Sequence, residues 1–348
     1  MFKKITYTIV IAVFIFITTA LFLPRNVHVE RSMVIKRPAA TLFTLLNSFN
    51  AHEAWSPLSV RDPQAEYRFS GPSAGVGARM EWTGDPRQVG NGWQEIIESQ
   101  PYSLVRMQLD FEHQGKATSY FDLQPSSSGT LVTWGFNTSL VDGQGFFGSL
   151  LARYFGLFFD RWIGSDYEQG LERLRQYAET LPETDFSDLD AEIVTVQPFD
   201  ILYIATGGRR ETGNVSEVLA AAYQEIVAFM TEHGIEMTAQ PMAITRGWDA
   251  RDYSFEAAIP VSSTDVRVAG NVQVGQSPAG LAVRVVHKGS YDSMGLSYEK
   301  LSAFMAANQL EEGRVSWEHY ISDPGQMPAS EIITHIYFMI ADQQQESG

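Results

Sequence analysis

Hydrophobic and polar positions alternate along this chain with three different rhythms. Residues 5–23 carry no charge at all. At a helical rise of roughly 1.5 Å per residue this run reaches about 28 Å, close to the ~30 Å hydrocarbon core of a bilayer. Lys3 and Lys4 precede it, and Pro24 and Arg25 close it. Residues 27–35 then alternate as a strand should, and Pro38 opens a short helix in which Leu42, Phe43, Leu45 and Leu46 cluster. Strand-like runs follow near 77–83, 93–98, 104–111, 117–123 and 130–138, separated by turn clusters such as Gly84-Asp85-Pro86. Beyond them Phe155, Phe158, Trp162, Leu171, Leu174 and Tyr177 recur at helical spacing, which predicts one long amphipathic helix. An antiparallel sheet closed by a long helix is an α+β arrangement.

The second half of the chain repeats itself. Residues 223–230 align with 298–305 at an offset of 75, sharing Tyr, Ala, Phe and Met. Each copy follows a strand-like run and a glycine, at 201–206 and 281–287, and precedes two more runs, at 242–246 and 253–259, then 315–321 and 332–340. The predicted unit is therefore βαββ, present twice, and two such units must pack together to bury their helix faces. In the first copy Asn214 and Glu217 have the spacing of a capping box, Gly234 is placed to stop the helix, and the stripe from Val215 and Val218 through Leu219, Ala222 and Ile226 to Phe229 and Met230 faces the core. On that pattern Tyr223 and Tyr298 are core residues before they are anything else.

These rhythms predict five segments: a membrane anchor or signal segment at 1–26, an α+β domain at 27–179, an acidic linker at 180–190, the duplicated domain at 191–342, and a tail at 343–348. A cleaved signal peptide ending near Thr18-Thr19-Ala20 is the rival for the first segment, whereas a buried core helix is not expected of such a run. As an anchor it would make a single-pass cell-membrane protein, contacting the bilayer through residues 5–23, with its domains on the extracytoplasmic, periplasmic side. Basic residues on both flanks weaken that orientation.

Composition narrows the chemistry. With 25 Lys+Arg against 41 Asp+Glu the net charge is −16, so no nucleic-acid partner is expected. The absence of cysteine excludes disulfides, thiolate metal sites and cysteine nucleophiles. Seven histidines show no ligand spacing, and no phosphate-binding glycine loop or nucleophile elbow is present. Neither a metal nor a cofactor is implied.

Two resemblances sharpen the reading. The order strand, short helix, meander, long helix, with Trp55-Ser56-Pro57, Gly75-x-Gly77 and Ile163-Gly164-x-Asp166-Tyr167-x-x-Gly170-Leu171, resembles the START-like (SRPBCC, polyketide cyclase) helix-grip fold. That implies a curved sheet gripping the long helix around an apolar cavity, with Trp82, Trp93, Phe111, Phe121 and Trp134 as candidate lining residues. Asp110 and His113 read as solvated turn residues. The duplicated unit, through Trp317-Glu318-His319-Tyr320-Ile321-Ser322-Asp323-Pro324, Glu331 and the terminal strand, resembles the GyrI-like, SOUL-related effector-binding domain, although Met339 stands where a proline is usual. The resemblance implies that Glu318 lies in a groove between the repeats and that the partner is an amphipathic or cationic aromatic small molecule.

The residues themselves agree with that implication. A carboxylate between apolar neighbours is costly to bury unpaired, so it needs an arginine, a proton or a cationic ligand. Strand period two puts Ser316, Glu318 and Tyr320 on one face, with Trp317 and His319 on the other. Tyr337 or His335 from the adjacent strand, and Trp248 and Tyr253 from the first repeat, are the further candidates for the groove. The first functional reading is a membrane-tethered binder holding a cationic or aromatic ligand near Glu318 and an apolar one in the first cavity. The second is a hydrolase of reactive small molecules, with Glu318 as general base and Tyr320 as acid. A transcriptional effector domain is disfavoured by the missing helix-turn-helix segment.

Overall fold

A computed structural model describes residues 2–112, 115–209, 215–248 and 252–341. Two compact units divide between Ser187 and Asp188.

In the first unit α1 (Phe2–Phe22) precedes β1 (Asn26–Ile35) and three short helices, α2 (Ala39–Leu46), α3 (His52–Trp55) and α4 (Pro57–Arg61). The meander β2 (Glu66–Ser70), β3 (Arg79–Thr83), β4 (Asn91–Gln100), β5 (Leu104–Phe111), β6 (Gly115–Ser126) and β7 (Gly129–Ser139) leads to α5 (Phe146–Gly156) and α6 (Phe159–Ala178). The seven strands form one antiparallel sheet in the order β1-β7-β6-β5-β4-β3-β2. Ser56 caps α4 by accepting the Leu58 amide at 3.2 Å, with Pro57 at the first helical position.

The predicted long helix is two helices. The chain breaks after Gly156, where an added Cβ would stand 2.5 Å from Leu140 and 3.4 Å from Val27. Only α6 grips the sheet, through Gly164, Tyr167, Gly170, Leu171, Leu174 and Ala178. Phe155, Phe158 and Trp162, expected in the buried stripe, are about half exposed. Gly170 lets α6 lie directly on Trp134, since a Cβ there would stand 2.5 Å from the indole.

The second unit comprises β8 (Ala191–Val196), β9 (Asp200–Arg209), α7 (Val215–His233), β10 (Met242–Trp248), β11 (Asp252–Pro260), β12 (Gln273–Gln276), β13 (Gly280–Lys288), α8 (Met294–Ala307), β14 (Glu312–Tyr320) and β15 (Ile333–Ile340). The sheet order, β12-β9-β11-β10-β14-β15-β13-β8, is symmetric about its centre. Each repeat carries one strand more than the predicted βαββ, and these extra edge strands are exchanged. β8, which opens the first repeat, pairs with β13 of the second, while β12 pairs with β9 of the first.

α7 covers Leu202, Ile204, Ala257 and Ile259, and α8 covers Val283, Val285, Ile336 and Phe338, so both helices lie on one face. Within the α7 stripe Ala222, Ile226, Phe229 and Met230 are buried, whereas Val215 and Val218 are exposed. Gly234, with φ +64°, ends this helix; Asn214 lies outside the described residues.

Candidate functional site

Two places in the chain combine apolar walls with a small number of polar groups. The first is a cavity of about 660 Å³ between the first sheet and α6. Of the expected lining residues, Trp82, Phe111, Phe121 and Trp134 all face it. Trp93 does not. Its register opposite Glu81 and Asp110 turns it to the outer face, where the Arg79 guanidinium lies 4.0 Å over its ring.

Trp134 stacks on Tyr167 at 3.9 Å and 11°, and Trp55 meets it edge-on, making an aromatic end wall. The Trp134 indole N–H donates to Ser119 Oγ at 2.9 Å. His52 and Gln94 are buried side by side in the lining, with their Nε2 atoms 3.2 Å apart, and His52 Nδ1 has no protein partner. Burial lowers the His52 pKa to about 3, so this ring is neutral. Burial also raises the Tyr167 hydroxyl, and it raises Asp166 despite the paired Arg61. His113 lies outside the described residues.

The second place is Glu318. Its row across the helix-covered face reads Ile336, Glu318, Ala243, Ala257, Ile204. The two alanines lower the floor beside the carboxylate, and Ser316 and Thr245 border it one row away. Glu318 is half-buried, and among the described residues no Lys, Arg or His stands within ion-pair distance of it. Two hydroxyls hold it instead: Tyr298 donates to Oε1 at 2.5 Å and Tyr320 donates to Oε2 at 2.6 Å. Such O–H···O⁻ bonds are the short, charge-assisted kind.

Tyr223 stands nearby on α7 and donates to the Met242 carbonyl at 2.9 Å, while Tyr291 meets the Tyr320 ring edge-on at 5.5 Å. Burial first, and the Glu318 charge second, push the hydroxyls of Tyr223, Tyr291, Tyr298 and Tyr320 above the usual tyrosine range. Each therefore stays a neutral donor at physiological pH.

Glu318 and Tyr320 thus come together as expected, but Tyr337 and His335 do not join them. Register pairs Trp317 with Tyr337 and His319 with His335, placing both candidates on the opposite face of the sheet. Tyr337 is stacked flat on Trp317 there at 4.5 Å. Trp248 and Tyr253 pair with each other across β10 and β11, and their side chains lie outside the described residues.

The residues that sequence reasoning assigned to the core, Tyr223 and Tyr298, are the ones the helices bring to the carboxylate. Their common offset of 75 was the available signal. The same offset relates Ala243 to Glu318, which face each other across the central strand pair. The pseudo-twofold axis therefore passes between them, and the lone acid stands beside it.

Comparison with known families follows this division. Residues 26–179 match the family described as "Polyketide cyclase / dehydrase and lipid transport", and residues 189–341 match the "GyrI-like small molecule binding domain". The chain therefore joins two domains of the small-molecule-binding kind. They are, in order, a START-like polyketide cyclase domain and a GyrI-like domain, behind an apolar helix long enough to cross a membrane.

Among solved structures, the C-terminal domain of EcmrR is 20% identical over 44% of this chain and 98% of its own, with a TM-score of 0.39. A hydrolase from Listeria innocua is 15% identical over 43% of this chain and 91% of its own, at 0.33. The di-domain ARO/CYC StfQ of the steffimycin biosynthetic pathway is 13% identical over 44% of this chain and 51% of its own, at 0.34. No curated protein matches the chain.

Proposed function

We propose that this chain is a membrane-tethered, non-catalytic binder that receives an amphipathic, aromatic or cationic molecule at Glu318 and an apolar molecule in the cavity of its first domain. The observation that carries the reading is a half-buried carboxylate held only by tyrosine hydroxyls, with no cation beside it among the described residues. A carboxylate ringed by phenol rings is complementary to a delocalised organic cation. The charge attracts it, and the aromatic faces replace part of its hydration shell.

The anchor reading rests on the helix over Ile5–Phe22, whose side chains lie almost entirely on the outside. The same carboxylate supports the hydrolase reading less well. Both of its oxygens already accept a tyrosine hydroxyl, which leaves fewer acceptor sites for a water to be activated.

The test is a titration of the full chain, in detergent micelles, with crystal violet and with its uncharged leuco form. The wild type should prefer the cation, and Glu318→Gln should weaken that binding at least tenfold, about 1.4 kcal/mol, while leaving the leuco form unchanged. Equal affinity in wild type and variant would remove the carboxylate from the site. Ester hydrolysis that disappears in the same variant would favour the enzyme.

A further inference from the structure

The sequence from Phe146 to Phe159 contains a single charged residue, Arg153. The structure turns that one charge inward. Arg153 is buried, and its Nη1 donates to the carbonyls of Ala20 at 3.0 Å and Leu21 at 3.3 Å, the last turn of α1. Tyr154 follows it, donating to the Phe16 carbonyl at 2.8 Å and stacking on the Phe16 ring at 4.5 Å. α5 is therefore pinned to residues 16–21 of α1, within about 9 Å of its domain-side end at ~1.5 Å per residue.

Among the described residues nothing covers the side of α5 that faces away from Arg153. Phe147, Leu151 and Phe155 are 78%, 51% and 51% exposed, and the stripe continues across the helix break through Phe158 to Trp162. Monomeric soluble proteins seldom leave a contiguous aromatic stripe of this kind in water. Phe155 and Trp162 also line the cavity of the first domain, together with Leu140, Ala152 and Phe159.

We propose that α5 and the first turn of α6 form a lipid-bilayer contact surface, and that this shoulder opens the first cavity toward molecules dissolved in the membrane. The inference rests on the anchor reading of α1. If α1 enters a bilayer, its contacts hold α5 at the depth where interfacial helices lie, roughly 5–10 Å below the headgroups. Arg153, the only charge on α5, is turned inward onto the α1 carbonyls, so the exposed stripe of α5 carries no charge; on the first turn of α6, Asp160, paired with Arg31, and Arg161 mark the polar edge of the shoulder. β1 starts four residues after α1 ends and is ten residues long, so the turn between β6 and β7, paired to its far end, stands about 30 Å along the strand from that start at ~3.3 Å per residue.

The cysteine-free chain allows a clean test by nitroxide labelling of single-cysteine variants in phosphatidylcholine vesicles. Phe14→Cys reports the anchor, Phe147→Cys the shoulder and Ser127→Cys the distal turn. The expected result is that the labels at 14 and 147 are accessible to oxygen and shielded from a water-soluble nickel chelate, with the reverse at 127. A label at 147 exposed to nickel while 14 is shielded would overturn the shoulder and leave the anchor standing. A label at 147 shielded from both agents would mean that a second copy or another protein covers the stripe, which also overturns it. Nickel access at 14 would fail the anchor reading, and the shoulder with it. For loading, uptake of vesicle-dissolved pyrene should slow at least tenfold in Leu151→Asp, and an unchanged rate would overturn entry through the shoulder.

Discussion

Lowering the pH should weaken the first domain through one imidazole. His52 sits in the cavity lining with a folded pKa of about 3, against 6.5 for a free side chain, because burial disfavours its charged form. Between these values the unfolded chain binds a proton that the folded domain does not. The contribution is therefore fully present above pH 6.5 and is lost progressively as the pH falls toward 3. Integrating the linkage relation, the loss between pH 7 and pH 5 is about 2 kcal/mol. Gln94 cannot offset it, since its amide would have to turn its oxygen toward the ring while the desolvation of the charge remained.

The assay is urea unfolding of the full chain in micelles at the two pH values, followed by hydrogen exchange in peptides from β5 to β7, so that the second domain does not contribute to the reading. His52→Gln should show a smaller pH dependence by that amount. Carboxylates that titrate in the same window do so equally in both proteins and cancel in the difference. Parallel pH dependence in wild type and variant would refute the assignment of the loss to His52.

Two further outcomes follow from close contacts. Gly170→Ala should destabilise the first domain by about 1–3 kcal/mol, because the new methyl overpacks the Trp134 indole; the urea midpoint of the same peptides measures it, and an unchanged midpoint would show that α6 can shift at no cost. Tyr298→Phe removes one of the two donors to Glu318 and should cost the second domain about 1.5–3 kcal/mol, the range of hydrogen bonds to charged groups. Exchange rates in β14 peptides read this, and rates equal to wild type would mean that water replaces the hydroxyl without loss.

Much of the architecture was legible because it is local. Strand alternation, turn clusters and the 75-residue offset fix which segments exist, and the resemblance carried by Trp317-Glu318-His319-Tyr320 is what singles out Glu318. What escaped depends on register and on helix breaks. Grouping Tyr337 and His335 with Glu318 presumes a pairing of β14 with β15 that no local pattern announces; the observed register sets Glu318 opposite Ile336 and so turns both residues to the other face. Trp93 begins a run, Trp-Gln-Glu-Ile-Ile, whose polarity does not say which face is inward, and β4 also carries an irregularity between Ile96 and Glu98. Phe155, Phe158 and Trp162 have helical spacing, but spacing cannot separate a face turned to the core from one turned outward. β8 and β12 are short edge strands whose partners lie in the other repeat, so neither could be matched to its own neighbours. The spacing of Tyr298 predicts packing, and it does pack against Phe338; only the fold carries its hydroxyl to the carboxylate.

The pairing of Ala243 with Glu318 has a consequence for how the centre of such a sheet is assembled. In a homodimer, any residue facing its own symmetry mate occurs twice, and two glutamates across a strand pair would stand with Cβ atoms roughly 5 Å apart and repel. Two alanines would leave no charge at all. Covalent joining of two diverged halves permits one half to supply the anion and the other the space, an arrangement at the centre of this sheet that two identical copies could not make.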